Sequence, residues 1–331
     1  MEKLDKKDKK ILYELYKDAR ASNTQLAGRV GLSKEAIAYR LKRFERENIL
    51  TKITTIVDYY KLGYKQFQLR IKLTSEGKIK KDEFIEEVKK IPQISTIIKI
   101  TGQWDYTLQI LVKTIQEFQE LYDSVLNNIG NLIAKKSAAL IFNEAHLSPT
   151  HLLESDTIEI NGQVKEKTFD LDENQDKLIN ILEEDARESL VQIAKKMNVS
   201  ISTIKYHLKL LEKNKIILAY KPIINLKTLG YETYRVLIDL QDNTKKKTII
   251  QRLKMNPKIT KITEYLGEHD IEFEGQYPNM NELLKELEEI EATVSINEYE
   301  ILHNNEEILT RGIPEYKDEN TSKENKKIKK G

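Results

Sequence analysis

The side chains with the clearest potential chemistry lie on a short basic stretch near the start of the chain. Residues 33–46 contain five basic and two acidic residues, a surplus of three positive charges of the sign that phosphates attract. Lys and Arg would hold phosphates there, while Ser, Glu or a favourably placed Lys could reach base edges. The candidate DNA-contacting residues are Ser33, Lys34, Glu35, Tyr39, Lys42 and Arg43.

Two short helices with a tight turn between them would position these side chains. A helix over 25–30 precedes the turn Gly31-Leu32-Ser33, in which glycine permits a positive φ and serine can cap the next helix. Ile37, Leu41 and Phe44 then recur at helical spacing over 34–47 and form one apolar stripe. The pattern predicts a helix-turn-helix with an exposed second helix, and the alternative is a three-helix core with ordinary solvated charges.

The same pattern occurs twice. Residues 4–64 align with 171–231 at a constant offset of 167 without a gap, and about a third of the positions are identical. Three basic residues stand against one acidic residue over 200–213. The second candidate DNA-contacting set is Ser200, Ser202, Thr203, Lys205, Tyr206 and Lys209. Tyr39 and Tyr206 could instead pack against the first helix of their units.

A β-prone run follows each helix-turn-helix, at 49–57 and 216–224, and we expect it to be the wing of a winged helix. Beyond it, each copy has the element order β-α-β-β-α-β, a ferredoxin-like unit. The predicted fold class is therefore α+β, a tandem repeat of two winged helix-turn-helix domains alternating with two ferredoxin-like domains. The expected boundaries are 1–60, 61–146, a linker at 147–169, 170–227, 228–304 and an extension at 305–331, largely a disordered tail. Asn161-Gly162 in the linker predicts a tight hairpin turn.

The order of these features resembles the Lrp/AsnC family of transcriptional regulators: a Leu-Asp opening, Asp-Ala-Arg, a winged helix-turn-helix, and a ferredoxin-like domain with Gly-x-x-Asp between its central strands. The resemblance implies that the ferredoxin-like units are RAM domains (regulation of amino acid metabolism) whose sheets pack face to face. Family members carry one copy of each domain and pair as dimers, so this chain would be a covalent pseudo-dimer, with further self-association through its RAM domains.

The resemblance also implies an amino acid effector and places it near Gly102, Asp105, Gly267 and Asp270. A carboxylate at this turn could pair with an α-amino group. The alternative is a structural β-turn in which the aspartate bonds to its own backbone.

Other functional classes have weaker support in the sequence. The chain of 331 residues has no cysteine, a net charge of only +2, and no Gly-rich phosphate loop or catalytic triad order. We expect a cytoplasmic protein that is not an enzyme, with no cofactor, metal or membrane partner; His146 and His151 have a weak metal-ligand spacing. The alternatives are a non-specific DNA-organising protein, a ligand sensor whose winged helices contact proteins, and an enzyme similar to the sirohaem decarboxylases, which share this architecture.

Overall fold

A computed structural model describes residues 4–153, 156–163, 168–267 and 269–314, and the chain folds there as two repeats joined by a short connector. The first repeat consists of α1 (Lys6–Lys17), α2 (Asn23–Val30), α3 (Lys34–Arg46), β1 (Leu50–Val57), β2 (Lys65–Leu73), α4 (Ser75–Ile79), α5 (Lys81–Lys89), β3 (Ile94–Thr101), β4 (Tyr106–Val112), α6 (Ile115–Ile129) and β5 (Ile133–Leu147). The connector contains α7 (Thr150–Leu153) and β6 (Glu159–Gln163). The second repeat consists of α8 (Glu173–Glu184), α9 (Leu190–Met197), α10 (Ile201–Lys213), β7 (Ile217–Ile224), β8 (Glu232–Leu240), α11 (Lys246–Met255), β9 (Ile259–Leu266), β10 (Ile271–Tyr277), α12 (Met280–Glu291) and β11 (Ile296–Thr310).

Each helix-turn-helix is fixed by side-chain caps at its helix starts. Ser22 and Ser33 accept from the third backbone amide of α2 and α3, and Gly31 ends α2 with φ +72°. In the second unit Asn198 takes the same left-handed position with φ 53°, because asparagine tolerates this conformation better than most residues. Ile37, Leu41 and Phe44 are buried as the apolar stripe predicts.

The strand after each helix-turn-helix does not fold back as a wing hairpin. β1 instead pairs antiparallel with β7 of the other repeat, so that the two strands form one ribbon between the units. The chain after β1 continues into the second unit, where Val57, Leu62 and Tyr64 join the core of α8–α10. The wing strand of the first unit is therefore shared with the second unit, because the apolar residues that follow it complete the core of the opposite repeat.

The two ferredoxin-like units form a closed ring of antiparallel strands. The strand orders are β5-β2-β4-β3 in the first unit and β11-β8-β10-β9 in the second. The pairs β3–β11 and β5–β9 then join the two sheets at both edges. This arrangement agrees with the expected face-to-face packing, and pairing at the edges leaves these strands no open side.

The two faces of this ring differ in character. Helices cover the outside with two apolar cores, one containing Phe67, Leu69 and Ile71 and the other containing Val236, Ile238 and Phe273. The alternate residues point inward, and many of them are polar. Arg70, Arg235 and Glu272 are all buried there at the interface between the two repeats.

The structure corrects two expectations about the connector and the end of the chain. Asn161 and Gly162 lie within β6 opposite Ala145 and Glu144, so they form extended backbone and not a hairpin turn. The last strand continues to Thr310, well into the expected extension 305–331, because its far half pairs with β3 of the first repeat. The tail over 315–331 lies outside the described residues, and the domain boundaries themselves stay a prediction.

Candidate nucleic-acid interface

The face of α3 that was expected to contact DNA is largely open to solvent. Ser33, Lys34, Glu35 and Lys42 are exposed, and 64% of Tyr39 is accessible. The alternative in which Tyr39 packs against the first helix therefore does not hold. Exposed lysines beside a Ser-capped helix start can reach phosphates and base edges together.

Arg43 differs from the other members of the first set because it serves the unit's own structure. Its Nη2 donates to Asp8 Oδ2 at 2.7 Å, and its Nε lies 3.3 Å from Glu47 Oε2. Arg40 donates to the other oxygen of the buried Asp8 at 2.6 Å and also to Asp5. The hydrogen bond to Asp5, together with Asp8, raises the pKa of Arg40. Arg43 therefore holds α3 against α1 instead of lying free for DNA.

The repeat contained a signal for this ion cluster that residue-type reasoning missed. At the offset of 167, Asp8, Arg40 and Arg43 become Gln175, His207 and Leu210. All three charged residues change together between the copies, as expected of side chains that depend on one another. In the second copy the buried His207 lies 3.8 Å from Asp172.

The corresponding face of α10 is also open to solvent, but it presents different side chains from those of α3. Ser200, Ser202, Lys205 and Lys209 are exposed, and 64% of Tyr206 is accessible. Thr203 is half-buried, and its hydroxyl lies 2.8 Å from Ser200 Oγ. Ser200 also caps α10 by accepting from the Thr203 amide at 3.1 Å. The Ser202 hydroxyl also lies 2.7 Å from Ser200 Oγ, so all three hydroxyls are partly engaged at the helix start.

The Asp-Ala-Arg motifs fix the two helix-turn-helix units relative to each other. Arg20 donates to the carbonyl oxygen of Ala186, and Arg187 donates to that of Ala21 at 3.1 Å, so the contact is nearly reciprocal. The Ala186 amide also donates to Ile53 O at 2.8 Å. Together with the β1–β7 ribbon, these bonds make the relative position of α3 and α10 a property of the fold.

The residues expected around an effector lie at two related turns where the halves of the ring meet. Asp105 accepts from the Leu73 amide at 2.8 Å and from Lys72 Nζ at 3.2 Å, and Asp270 accepts from the Leu240 amide at 2.9 Å. Both carboxylates thus have structural partners, but these are amides of neighbouring strands and not the backbone of the turn itself. Gly102 has φ +146°, and a Cβ there would lie 2.8 Å from Leu302 Cδ2. The assignment of an effector to these turns stays a prediction.

A cavity of about 780 Å³ lies beneath the ribbon, between the helix-turn-helix units and one mouth of the ring. Thr54 of β1, Lys221 of β7 and Glu183 of α8 contribute from the DNA-binding side. His146 and the segment after β11 contribute from the ring. Burial raises the pKa of the Glu183 carboxyl to about 7, even though Tyr59 donates a hydrogen bond to it.

The described residues contain no metal-binding cluster and no membrane-spanning helix. No group of three or more His, Cys, Asp and Glu side chains in the described ranges could hold an ion, and His146 instead lies 3.3 Å from Glu144. Among the helices that the structure describes, none is both long and apolar enough to cross a bilayer.

Family models match both kinds of domain. Residues 4–51 and 171–217 match the model described as winged helix-turn-helix DNA-binding, and residues 66–137 match the Lrp/AsnC ligand binding domain. The transcriptional regulator AzlB of Bacillus subtilis is 36% identical over 127 residues, which are 38% of this chain and 81% of that protein. The proline dehydrogenase transcriptional activator of Rhodobacter capsulatus is 27% identical over 135 residues, 40% of this chain and 88% of that protein.

Solved structures also match the whole tandem arrangement. The crystal structure of the siroheme decarboxylase NirDL superposes with a TM-score of 0.65 over 98% of both chains, at 14% sequence identity. At that identity the match establishes the fold alone. The comparisons confirm the expected α+β class and the repeated architecture.

Proposed function

Because this chain belongs to the Lrp/AsnC family, we propose that it is a sequence-specific transcriptional regulator whose two helix-turn-helix units bind one DNA duplex together. The observation that carries the proposal is that α3 and α10 both expose their basic faces while the ribbon and the Asp-Ala-Arg contacts hold them in a fixed relation. One polypeptide thus supplies both halves of a dimeric reader.

The two halves of the binding site should differ in sequence. Lys34, Glu35 and Lys42 on α3 correspond to Ile201, Ser202 and Lys209 on α10, so only the last of these positions has the same side chain. Base recognition depends on the donors and acceptors that a helix presents, and different side chains select different base edges. We therefore expect an asymmetric operator instead of a perfect palindrome.

The test removes one exposed lysine from each recognition helix. We expect Lys42→Ala combined with Lys209→Ala to weaken binding to genomic fragments selected by the native protein. Each phosphate contact contributes about 0.9 to the slope of log affinity against log salt, so the slope should decrease by about two. Filter binding at several salt concentrations measures both quantities.

The matched control is Lys78→Ala combined with Lys247→Ala, because both lysines are on helices outside the helix-turn-helix units. This variant should bind DNA as the native chain does. Undiminished binding by the Lys42→Ala and Lys209→Ala variant would refute the assignment of the recognition helices. Equal affinity for selected and random fragments would favour a non-specific DNA-organising protein, and absence of binding at low salt would favour protein contacts.

A response to an amino acid is the finer part of the proposal. The match to an Lrp/AsnC ligand binding domain supports a small-molecule effector, and the turns at Asp105 and Asp270 are the expected place for it. Asp105→Asn is the sharpest variant, because its amide oxygen can still accept from the Leu73 amide while the charge is lost. In calorimetry with the twenty amino acids, this variant should bind the effector amino acid more weakly than the native chain does. Identical titrations of the variant and the native chain would exclude the turn as the effector site. Self-association through the RAM domains stays a prediction.

An enzymatic function is the second candidate because the chain shares its whole architecture with a solved siroheme decarboxylase. The cavity of about 780 Å³ at the mouth of the ring offers space for a substrate. Incubation with sirohaem separates this candidate from the regulator. A shifted Soret band with loss of carboxylates would support an enzyme, and an unchanged pigment would oppose it.

A further inference from the structure

The cavity beneath the ribbon is bounded by elements of both repeats. β1, β7 and α8 form its upper side, and β3, β4 and β5 form its lower side. The segment from Thr310 to Pro314 closes it laterally, with Ile313 buried against the core of α8–α10. A molecule bound in the cavity would therefore contact both DNA-binding units and the ring.

Three carboxylates near this mouth of the ring already have cationic partners, whereas Glu183 and Glu184 also line the cavity without one among the described ion pairs. Glu144 pairs with Lys261. Glu272 pairs with Arg70 at 2.9 Å and with Arg235 at 3.4 Å, and Glu274 lies 3.5 Å from Arg235. Three carboxylates are thus balanced by three basic residues. His146 adds no full charge near neutral pH, since burial lowers its pKa despite its contact with Glu144.

Two cations lining the cavity form no ion pair with a carboxylate of the described residues. Within the described parts of the chain, the Lys221 ammonium makes no ion pair and no hydrogen bond, and Glu274 and Glu144 act on it only from outside ion-pair distance. Arg311 also lines the cavity, and its guanidinium donates only to carbonyl oxygens, those of Ile94, Lys89 and Ile91. Both residues are half-buried, and a partly desolvated positive charge without a close counter-ion is unfavourable, so that an anionic ligand would relieve this cost.

We propose that this cavity binds a small organic anion, a carboxylate with an apolar body, whose acid group pairs with Lys221. Ile56, Ile223 and Ile313 line the same space and provide contacts for the apolar part. The volume of about 780 Å³ is within the range of small-molecule sites. The site is separate from the turns at Asp105 and Asp270.

Binding at this position would act on DNA affinity, and that part rests on the proposed function. Lys221 is opposite Thr54 in the ribbon that connects the two helix-turn-helix units. A ligand held between Lys221 and the ring stabilises one position of the ribbon relative to the ring. It changes DNA affinity only if DNA binds more tightly, or less tightly, to the protein with the ribbon in that position.

The test is calorimetry of the full chain with hexanoate, hexan-1-ol and hexylamine as probes of equal length. We expect hexanoate to bind at least about tenfold more tightly than the uncharged or cationic probe, the factor that corresponds to one charged hydrogen bond. Lys221→Met should reduce hexanoate affinity by a similar factor, while Lys247→Met on the exposed surface of α11 should leave it unchanged. Thr96→Trp, which adds bulk at the cavity wall, should also abolish binding.

The outcomes are distinguishable from failure of the proposed function. No heat with hexanoate, equal affinity for all three probes, or native affinity in Lys221→Met would overturn the site. The same titrations are followed by DNA binding with and without hexanoate, for the native chain and Lys221→Met. If the chain binds hexanoate but no DNA, the ligand site is supported and the proposed role as a regulator is overturned. If hexanoate leaves the DNA affinity unaltered, the proposed effect of the ligand on DNA binding is overturned.

Discussion

Replacement of Glu272 by glutamine should destabilise the ring more than any surface substitution. Glu272 is 3% exposed, and its Oε2 accepts from Arg70 at 2.9 Å, Tyr265 at 3.0 Å and Gln68 at 3.1 Å. Glutamine keeps the shape but removes the charge, and its amide nitrogen cannot accept a hydrogen bond where a carboxylate oxygen did. Breaking a buried pair by removing one partner costs about 3–5 kcal/mol, because the remaining charge stays buried without compensation.

The protonation state of Glu272 supports this magnitude. Burial alone would raise the pKa of the carboxyl, but Arg235 and Arg70 outweigh burial and hold the pKa below its usual range. The group is therefore ionised in the folded protein at neutral pH. Its contribution is present above the pKa of the unfolded chain and is lost as the pH falls through the lower pKa of the folded state.

Trp104 gives a direct assay because it is the only tryptophan and is fully buried beside Leu237 and Leu302. Urea unfolding followed by its fluorescence reports loss of the ring where the two repeats meet. Glu298→Gln is the control, since Glu298 is exposed on β11 and should change the unfolding free energy by at most about 0.5 kcal/mol. The double variant Arg70→Met with Glu272→Gln should recover part of the loss by removing one uncompensated cation. A loss below about 1 kcal/mol in Glu272→Gln would refute the reasoning.

Three further predictions concern single positions. Burial raises the pKa of Glu183 to about 7, so the folded state binds an extra proton between about pH 4 and 7 and stability should decline as the pH rises through that window. Urea unfolding at pH 5 and pH 8 should show a decline about 3 kcal/mol larger in the native chain than in Glu183→Gln. Gly102→Ala should cost about 2 kcal/mol in thermal unfolding because of its φ of +146° and the contact with Leu302, whereas Gly28→Ala, with open space around it, should stabilise α2 by about 0.5–1 kcal/mol. Asp8→Asn should lower the stability of the first helix-turn-helix by about 3 kcal/mol in urea unfolding without changing the second, because Arg40 and Arg43 both lose a charged partner.

The elements of each repeat could be predicted because their signals are local. The stripe of Ile37, Leu41 and Phe44 and the cap at Ser33 depend on residues within about two helical turns, and the structure shows both as expected. The βαββαβ order followed equally from alternation and helical spacing within short windows. Such patterns need no knowledge of how distant segments meet.

The contacts between the repeats could not be predicted in the same way. The strand at 49–57 has the composition of a wing in isolation, and only the core of the opposite unit determines that Val57 belongs there. Arg43 looked free because its partner Asp8 is 35 residues away and on another helix. Asn161-Gly162 has the residues of a tight turn, but pairing with β5 keeps it extended. In each case a tertiary contact overrides a correct local preference.

The polar interior of the ring gives a physical reason for the fusion of two different repeats. Aligning the glycines Gly102 and Gly267 places Thr107 and Gln109 of the first unit where the second has Glu272 and Glu274. A first unit paired with a copy of itself would bury Arg70 twice with none of these carboxylates opposite, and each uncompensated charge would cost several kcal/mol. Arg70 is matched only because the facing sheet is the other repeat. The buried charges therefore select the pairing within the chain, and α3 and α10, with their different faces, are brought to DNA as a fixed unlike pair.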